Sequence, residues 1–233
     1  MEIIKTIIKS IKNPEKAYLE MYRILTGIAL CNHNGVKIVL NHLGKINTFI
    51  DVGANIGQFT RIAEKLIPNA RIIAFDPVDV FPFKDNIEVF HNFGLSDKNE
   101  AVNFYVNKLN VGWSGLYPPD DKIDDYYKKK IKLIRFDSLD IKIDSPCFLK
   151  VDTQGHEYQV LKGFGNRLKE IDCIQFEYSN INCSIKKCES LSKILRLLGE
   201  YRFNFIIQHN ITKDSCNYIL FKKEMTLDTS KGL

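Results

Sequence analysis

The sequence lacks long apolar runs and any segregation of charge. None of its uninterrupted apolar stretches approaches the roughly 20 residues that span a bilayer. The first residues, MEIIKTIIKSIK, have neither the apolar core nor the small-residue cleavage site of a signal peptide. The 33 Lys and Arg residues and the 28 Asp and Glu residues are interspersed, so no nucleic-acid-binding face is indicated. We therefore expect a cytoplasmic protein with neither a transmembrane segment nor a nucleic-acid partner.

Paired cysteines are also absent. None of the six cysteines belongs to a C-x-x-C motif, and two of them lie inside apolar runs. This pattern disfavours a disulfide framework or a zinc site and favours reduced thiols in the core. The six residues are Cys31, Cys147, Cys173, Cys183, Cys188 and Cys216.

The length of 233 residues suits one domain with an N-terminal extension. Residues 1–30 are predicted as helices, and their first isoleucines form a stripe that the lysines avoid. We favour docking of this stripe on the domain over homodimerisation or peripheral membrane contact, because core-facing stripes are the common case. The predicted organisation is a packed helical extension over 1–44, a domain over 45–225 and a flexible tail over 226–233.

Strand and helix patterns alternate along the domain. Residues 37–40 and 48–51 are predicted as strands, and the spacing of apolar residues after Gln58 predicts a helix. Later strands are RIIAF, CFLKVD and CIQFEY, and FNFIIQ and NYILFKK are predicted as a terminal antiparallel hairpin. The alternation predicts an α/β fold with a mainly parallel sheet, helices on both faces and a ligand at the carboxyl ends of the strands.

Residues 101–136 differ from the rest of the domain in their sequence pattern, which predicts a small β insertion or lid. Two alternating segments, VNFYVN and IKLIRF, flank the turn-rich stretch GWSGLYPP and the charged run DDYYKKK, which we expect to be a solvated surface. Aromatic side chains pack against the faces of sugar rings, and side-chain hydroxyls form hydrogen bonds with the polar groups of a sugar. Trp113, Ser114 and Tyr117 are therefore candidate acceptor-binding residues, and the alternative for Trp113 is a plug in the core of the insertion.

The stretch DVGANIGQ joins a strand to a helix through a glycine turn. It lacks the middle glycine of a nicotinamide fingerprint and the Gly-Lys-Ser/Thr of a phosphate loop. The acid at the strand tip, Asp51, can accept a hydrogen bond from an ammonium group, and the helix N-terminus favours a carboxylate. Together they suit the two charges of an amino acid. The next strand ends in Asp76, which can accept hydrogen bonds from ribose hydroxyls. A ligand that contains both an amino acid and a ribose is S-adenosylmethionine, which the pattern therefore indicates.

The set DVGANIGQF, AFDP, GLSD, LKVDTQGHEYQVLKGF and IQFEY resembles the FkbM family of S-adenosylmethionine-dependent methyltransferases over roughly residues 45–222. The resemblance implies a Rossmann-like seven-stranded sheet whose last strand is antiparallel, and O-methylation of a sugar or related polar acceptor. It also implies that Asp51 lies beneath the methionine moiety, that Asp76 binds the ribose, and that Ser96 and Asp97 contact the adenine. The residues expected to line the methionine moiety are Gly53, Asn55, Gly57 and Gln58.

Several ionisable residues converge on two neighbouring strand ends in this architecture. Asp152 ends the fourth strand, and Lys150 projects to the same face two residues earlier. Glu157 and His156 begin the following helix, and Glu177 lies near the end of the fifth strand. We expect these residues to hold and activate an acceptor hydroxyl, with His156 or Asp152 as the base.

Two alternatives stay open. Carboxylates such as Asp152 and Glu177 are suitable ligands for a divalent metal, although their spacing does not establish a metal site. The chain could also be a cofactor-binding partner subunit that has lost catalysis. Retention of Asp51, Asp76 and Asp152 favours the enzyme, acting on a small-molecule or glycan acceptor.

Overall fold

A computed structural model describes residues 34–78, 89–118, 120–179, 189–210 and 215–222. The isoleucine stripe, predicted as helical, and residues 226–233, predicted as a flexible tail, lie outside the described residues, so both stay predictions. No helix within the described ranges is long and apolar enough to cross a membrane.

Seven strands form one large sheet with helices on both faces. The helices are α1 (Asn34–Leu43), α2 (Gln58–Leu66), α3 (Glu157–Phe164) and α4 (Leu191–Glu200). The strands of the large sheet are β1 (Thr48–Val52), β2 (Arg71–Phe75), β3 (Val89–His91), β7 (Cys147–Val151), β8 (Cys173–Ser179), β9 (Phe203–Asn210) and β10 (Ser215–Lys222). Their order is β3-β2-β1-β7-β8-β10-β9.

The last strand runs against its neighbours. β10 is antiparallel to both β8 and β9, whereas β1, β2, β3, β7 and β8 are parallel. The predicted terminal hairpin and the predicted Rossmann-like sheet with an antiparallel last strand are therefore confirmed.

The central strands are apolar on both faces because helices cover both. Every residue of β1 and β7 is buried. Ile50 and Leu149 pack with α3 and α4 on one side, and Phe49 and Phe148 pack with α1 and α2 on the other. Continuous apolar runs of this kind are typical of parallel strands that are buried on both faces.

The predicted strand over residues 37–40 is wrong, because these residues lie inside α1. The β-branched run GVKIVL resembles a strand, yet Val36 and Val39 are three positions apart and both fully buried in the cluster that contains α2. This is helical spacing. Gly44, with φ of +71°, follows the helix and donates its N–H to the carbonyl of Leu40. The left-handed conformation ends the helix.

The insertion forms a second sheet of three strands in the order β4-β6-β5. Its strands are β4 (Gly94–Leu95), β5 (Glu100–Asn107) and β6 (Tyr126–Ile134), and a short 3-10 turn at Val111–Trp113 lies between β5 and β6. The predicted β insertion is confirmed. The YYKKK part of the charged run begins β6, and its Tyr127, Lys128 and Lys130 are exposed, as expected for a solvated surface.

Candidate active site

A cavity of about 390 Å³ lies at the carboxyl ends of the parallel strands. Its walls come from the glycine turn after β1, the segment after β2, the inner face of the small sheet, the turn after β7 and the end of β8. This is the place where α/β sheets bind their ligands, and the volume suits a small organic ligand.

Three residues of the glycine turn have a positive φ, a conformation that favours glycine. Gly53 and Gly57 have φ of +78° and +80°, and Asn55 has φ of +52°. A Cβ on Gly53 would collide with the carbonyl oxygen of Asp152, because β1 and β7 approach closely at this end. Gly57 caps α2 in the left-handed conformation. Gly53, Asn55 and Gln58 line the cavity, whereas Gly57 is not among its lining residues.

Asp51 lies beneath the cavity and is fully buried. One of its oxygens accepts a hydrogen bond from the Thr60 hydroxyl at 2.6 Å, and the other lies 3.1 Å from Nζ of Lys150. The same Lys150 nitrogen lies 3.5 Å from Asp152 Oδ2. Lys150 therefore joins a buried carboxylate to one that reaches the cavity.

Asp76 lines the cavity beside the glycine turn. Its two oxygens each accept one backbone hydrogen bond at 2.8 Å, from the N–H groups of Asn55 and Val78. Burial raises the pKa of Asp76 to about 6, although these two hydrogen bonds act in the opposite direction. Because a carboxylate oxygen has a second lone pair, both oxygens can still accept from a ligand hydroxyl.

Asp152 and Glu177 form a pair of carboxyl groups at adjacent strand ends. Gln154 donates from Nε2 to Asp152 Oδ1 at 2.9 Å and lies 3.5 Å from Glu177 Oε2. Burial and the neighbouring Asp152 raise the pKa of Glu177 to about 8. At neutral pH Glu177 therefore holds its proton beside Asp152.

His156 lines the cavity and connects it to Ser96. Its Nε2 lies 2.9 Å from the Ser96 hydroxyl. Burial lowers the pKa of His156 to about 4, so the imidazole is neutral near pH 7. Its buried Nδ1 has no hydrogen-bond partner among the described residues. Ser96 and Asp97 do not line the cavity, and Asp97 pairs with Lys162 at 2.7 Å.

Glu157 folds back onto the turn that precedes α3. Its Oε1 accepts hydrogen bonds from the N–H groups of Thr153 at 2.9 Å and Gly155 at 3.1 Å. The carboxyl group is buried, which raises its pKa, and it does not line the cavity. These contacts favour a role in positioning the Asp152 turn over direct contact with an acceptor.

The insertion covers one side of the cavity. Trp113 and Ser114 line it, whereas Tyr117 does not. Trp113 is 60% exposed, so it is not a core plug. The Ser114 hydroxyl accepts a hydrogen bond from the N–H of Asn107 at 3.0 Å. The 3-10 turn reaches the glycine turn, since a Cβ on Gly112 would lie 3.3 Å from Nδ2 of Asn55.

Gln154 is a site residue that no sequence pattern indicated. Its φ of +56° directs the side chain back over the strand ends. Amide side chains in tight turns are common, so no sequence signal distinguishes this one. Among the described residues, no group of three His, Cys, Asp or Glu side chains is arranged to hold a metal, and the metal hypothesis for Asp152 and Glu177 gains no support.

Residues 51–206 match the family described as the methyltransferase FkbM domain. A curated relative, the hexuronic acid methyltransferase AglP of Haloferax volcanii, is 26% identical over 152 residues. The alignment covers 61% of this chain and 60% of that protein, so the chain spans less than two thirds of its relative's length.

Solved structures of methyltransferases are also similar. The methyltransferase FkbM of Methylobacillus flagellatus KT has a TM-score of 0.47 and 20% identity, over 75% of this chain and 43% of that chain. The phosphoethanolamine N-methyltransferase 2 of Haemonchus contortus, solved with phosphomonomethylethanolamine and S-adenosylhomocysteine, has a TM-score of 0.45 and 10% identity, over 88% of this chain and 56% of that chain. Because the family match over residues 51–206 covers well over half of the sequence, this chain belongs to the FkbM methyltransferase family.

Proposed function

We propose that this protein transfers a methyl group from S-adenosylmethionine to a hydroxyl of a sugar or related polar acceptor. The observation that carries the proposal is one cavity with two different walls. The glycine turn and Asp76 follow β1 and β2 and form what we call the first wall, and the Asp152–Glu177 pair, at the ends of β7 and β8, forms the second.

The residues of the first wall fit the cofactor. Buried Oδ1 of Asn55 has no hydrogen-bond partner among the described residues and can accept from a ligand N–H or O–H group. Gly53 keeps its side of the turn free of a side chain. In this proposal Gly53, Asn55 and Gln58 hold the methionine moiety and Asp76 holds the ribose. The bound cofactor supplies an electrophilic methyl group on a sulfonium.

The second wall fits proton removal from an acceptor hydroxyl. Lys150 and Gln154 hold the Asp152 carboxylate from both sides, which fixes its orientation. Glu177 keeps its proton near pH 7, so Asp152 rather than Glu177 is the proposed acceptor of the hydroxyl proton as the oxygen is methylated. Nε2 of His156 lies 2.9 Å from the Ser96 hydroxyl, so we assign His156 to hydrogen bonding rather than to proton removal.

A sugar acceptor is supported by two observations. The curated relative is named for methylation of a hexuronic acid. The exposed ring of Trp113 at the cavity wall offers an aromatic face to a sugar ring.

The first test is calorimetric titration with S-adenosylhomocysteine, with NAD as the control ligand. We expect micromolar binding of the former alone and a loss of at least tenfold in the Asp76→Ala variant. The Asp140→Asn variant, which changes an exposed acid, should bind normally. A folded protein that binds neither ligand would refute the proposal.

A second test incubates the protein with labelled S-adenosylmethionine and a panel of sugars that includes uronic acids. We expect methyl ethers as products. Cofactor binding without methyl transfer to any acceptor, including RNA and protein, would instead support the inactive partner subunit.

A further inference from the structure

Strand β6 carries a concentrated positive charge. Lys128, Lys129, Lys130 and Lys132 occupy four of five consecutive positions, and we refer to them as the lysine strand. Lys128, Lys130 and Lys132 are exposed, whereas Lys129 is half-buried. Neighbouring like charges repel one another, so the cluster requires an explanation.

No acid neutralises the lysine strand within the described residues. The residues opposite it on β5 are Ala101, Asn103, Phe104 and Tyr105, and all are uncharged. The described contact of Lys128 is with the ring of Tyr105, whose centroid lies 5.6 Å from Nζ. By contrast, Lys150, Lys162 and Lys193 all pair with carboxylates.

Strand β6 also contributes to the cavity wall, although none of its four lysines is among the lining residues. Ile131 and Leu133 of β6 and Phe104 of β5 line the cavity. Because side chains alternate along a strand, Lys129 lies on this cavity-facing surface directly opposite Phe104. Lys128, Lys130 and Lys132 lie on the other surface of the same strand, about 6.8 Å apart.

Protection of an open sheet edge is the alternative explanation of this arrangement. β6 pairs with β4 only at Leu133 and Ile134, so the described residues leave its second edge unpaired over 126–132. Exposed lysines and an inward-pointing charge such as Lys129 both hinder association between sheets. Edge protection and ligand binding are therefore distinguished by whether a lysine variant self-associates or loses an anionic ligand.

We propose that the lysine strand binds the carboxylates of an acidic sugar chain whose terminal residue enters the cavity. The inference rests on the proposed function and specifies its acceptor as a chain of uronic acid sugars. Lys129 contacts the carboxylate nearest to the methylated sugar. The chain then passes over the unpaired edge of β6, and Lys128 and Lys130 on the other surface contact carboxylates farther along it. Lysine stems are flexible, so their charges can follow a repeating anion.

The test measures binding of oligogalacturonate, and of its neutral methyl ester, at low and high salt. We expect the acidic chain to bind more tightly than the ester and to weaken as salt rises, because the contacts are charge pairs near the surface. Combined Lys128→Gln, Lys129→Gln and Lys130→Gln substitutions should weaken acidic binding about tenfold, since each exposed pair contributes modestly.

A matched control separates local charge from net charge. Lys37, Lys65 and Lys169 are exposed lysines outside the insertion, and their combined change to Gln removes the same three charges. Equal losses in both variants, or equal binding of acid and ester, would overturn the inference. Self-association of the lysine-strand variant with unchanged oligogalacturonate binding would also overturn it and support edge protection.

If the proposed methyltransferase function is wrong, the measurements give a different result. Oligogalacturonate binding is measured without cofactor, and S-adenosylhomocysteine binding is measured in the same variants. Unchanged cofactor binding with lost acidic binding supports the inference. Absent cofactor binding in the wild-type protein refutes the methyltransferase proposal alone.

Discussion

Burial raises the pKa of two carboxyl groups that line the cavity, to about 6 for Asp76 and to about 8 for Glu177. Asp152, next to Glu177, contacts Lys150 and Gln154. A carboxyl group that is protonated near pH 7 beside a second one held by a cation is suited to an acid–base role.

At the residue scale, replacing Asp152 by Asn should abolish most turnover. An amide cannot take the acceptor proton, so we expect kcat to fall roughly 10²- to 10⁴-fold. Affinity for S-adenosylhomocysteine should stay within about twofold, because the proposed cofactor contacts come from Asp76 and the glycine turn and not from the Asp152 carboxylate. Initial rates and calorimetry measure the two quantities. Unchanged kcat would exclude Asp152 as the base, and Asp140→Asn is the control.

Glu177 predicts a pH dependence of stability. Its pKa is about 8 in the folded protein and near 4.5 when unfolded, so the folded state holds a proton that the unfolded state releases. The stabilisation is complete below about pH 4.5 and is lost as pH rises toward 8.

The Glu177→Gln variant should remove this dependence. Relative to the wild type, its free energy of unfolding should rise by roughly 1–3 kcal/mol between pH 5 and pH 8.5. Urea denaturation at both pH values measures the change, and Glu200→Gln, at an exposed position, is the control. A constant difference between Glu177→Gln and wild type would contradict the raised pKa.

At the scale of elements, helix α3 is held against the small sheet by a glycine. A Cβ on Gly163 would collide with the carbonyl oxygen of Ser96, next to β4. Ser96 in turn contacts His156 at the start of the same helix. The close approach at Gly163 thus sets the position of α3, and with it the turn that carries Asp152.

Gly163→Ala and Gly199→Ala form a matched pair. Both glycines lie one residue before the end of a helix, yet Gly199 has no atom within 4 Å of an added Cβ. We expect Gly163→Ala to destabilise the fold by roughly 1–3 kcal/mol. Gly199→Ala should be neutral or stabilising by up to about 1 kcal/mol. Urea denaturation distinguishes them, and equal effects would contradict the collision at Ser96.

The small sheet should act on the acceptor rather than on the cofactor. Because Trp113 is exposed at the cavity wall, its loss removes an aromatic contact without unfolding a core. Trp113→Ala should raise the acceptor KM roughly three- to tenfold. The KM for S-adenosylmethionine should be unchanged. Steady-state kinetics with each substrate varied in turn provide the measurement, and an unaltered acceptor KM would remove Trp113 from the acceptor site.

At the scale of the whole molecule, the cavity is assembled from four strands of the large sheet and all three strands of the small sheet. Its lining runs from Val52 to Glu177 and includes both sheets. An unfolded chain cannot offer this site, so ligand binding should stabilise the entire fold. S-adenosylhomocysteine at one hundred times its Kd should add about 2.7 kcal/mol to the free energy of unfolding. NAD at the same concentration should add nothing, and an equal effect of both ligands would contradict a specific site.

Local patterns were sufficient for most of the fold. Glycine spacing, strand alternation and helical periodicity predicted the turn at Gly53, helix α2, the insertion and the terminal hairpin. They failed at residues 37–40, where a β-branched run packs as a helix against α2. Intrinsic preference is weak there, and the buried contacts of Val36 and Val39 decide the conformation.

By itself the sequence determined the order of elements, the glycine turn and the acids at the strand ends, because these follow from neighbours in the chain. Only the tertiary structure decided which side chains meet. Lys150 reaches Asp51 across 99 positions, and Ser96 reaches His156 across 60. The direction of Gln154 and the return of Glu157 onto its own turn depend on backbone angles that no periodicity encodes. Protonation was decided in the same way, since burial and proximity exist only after the strands pack.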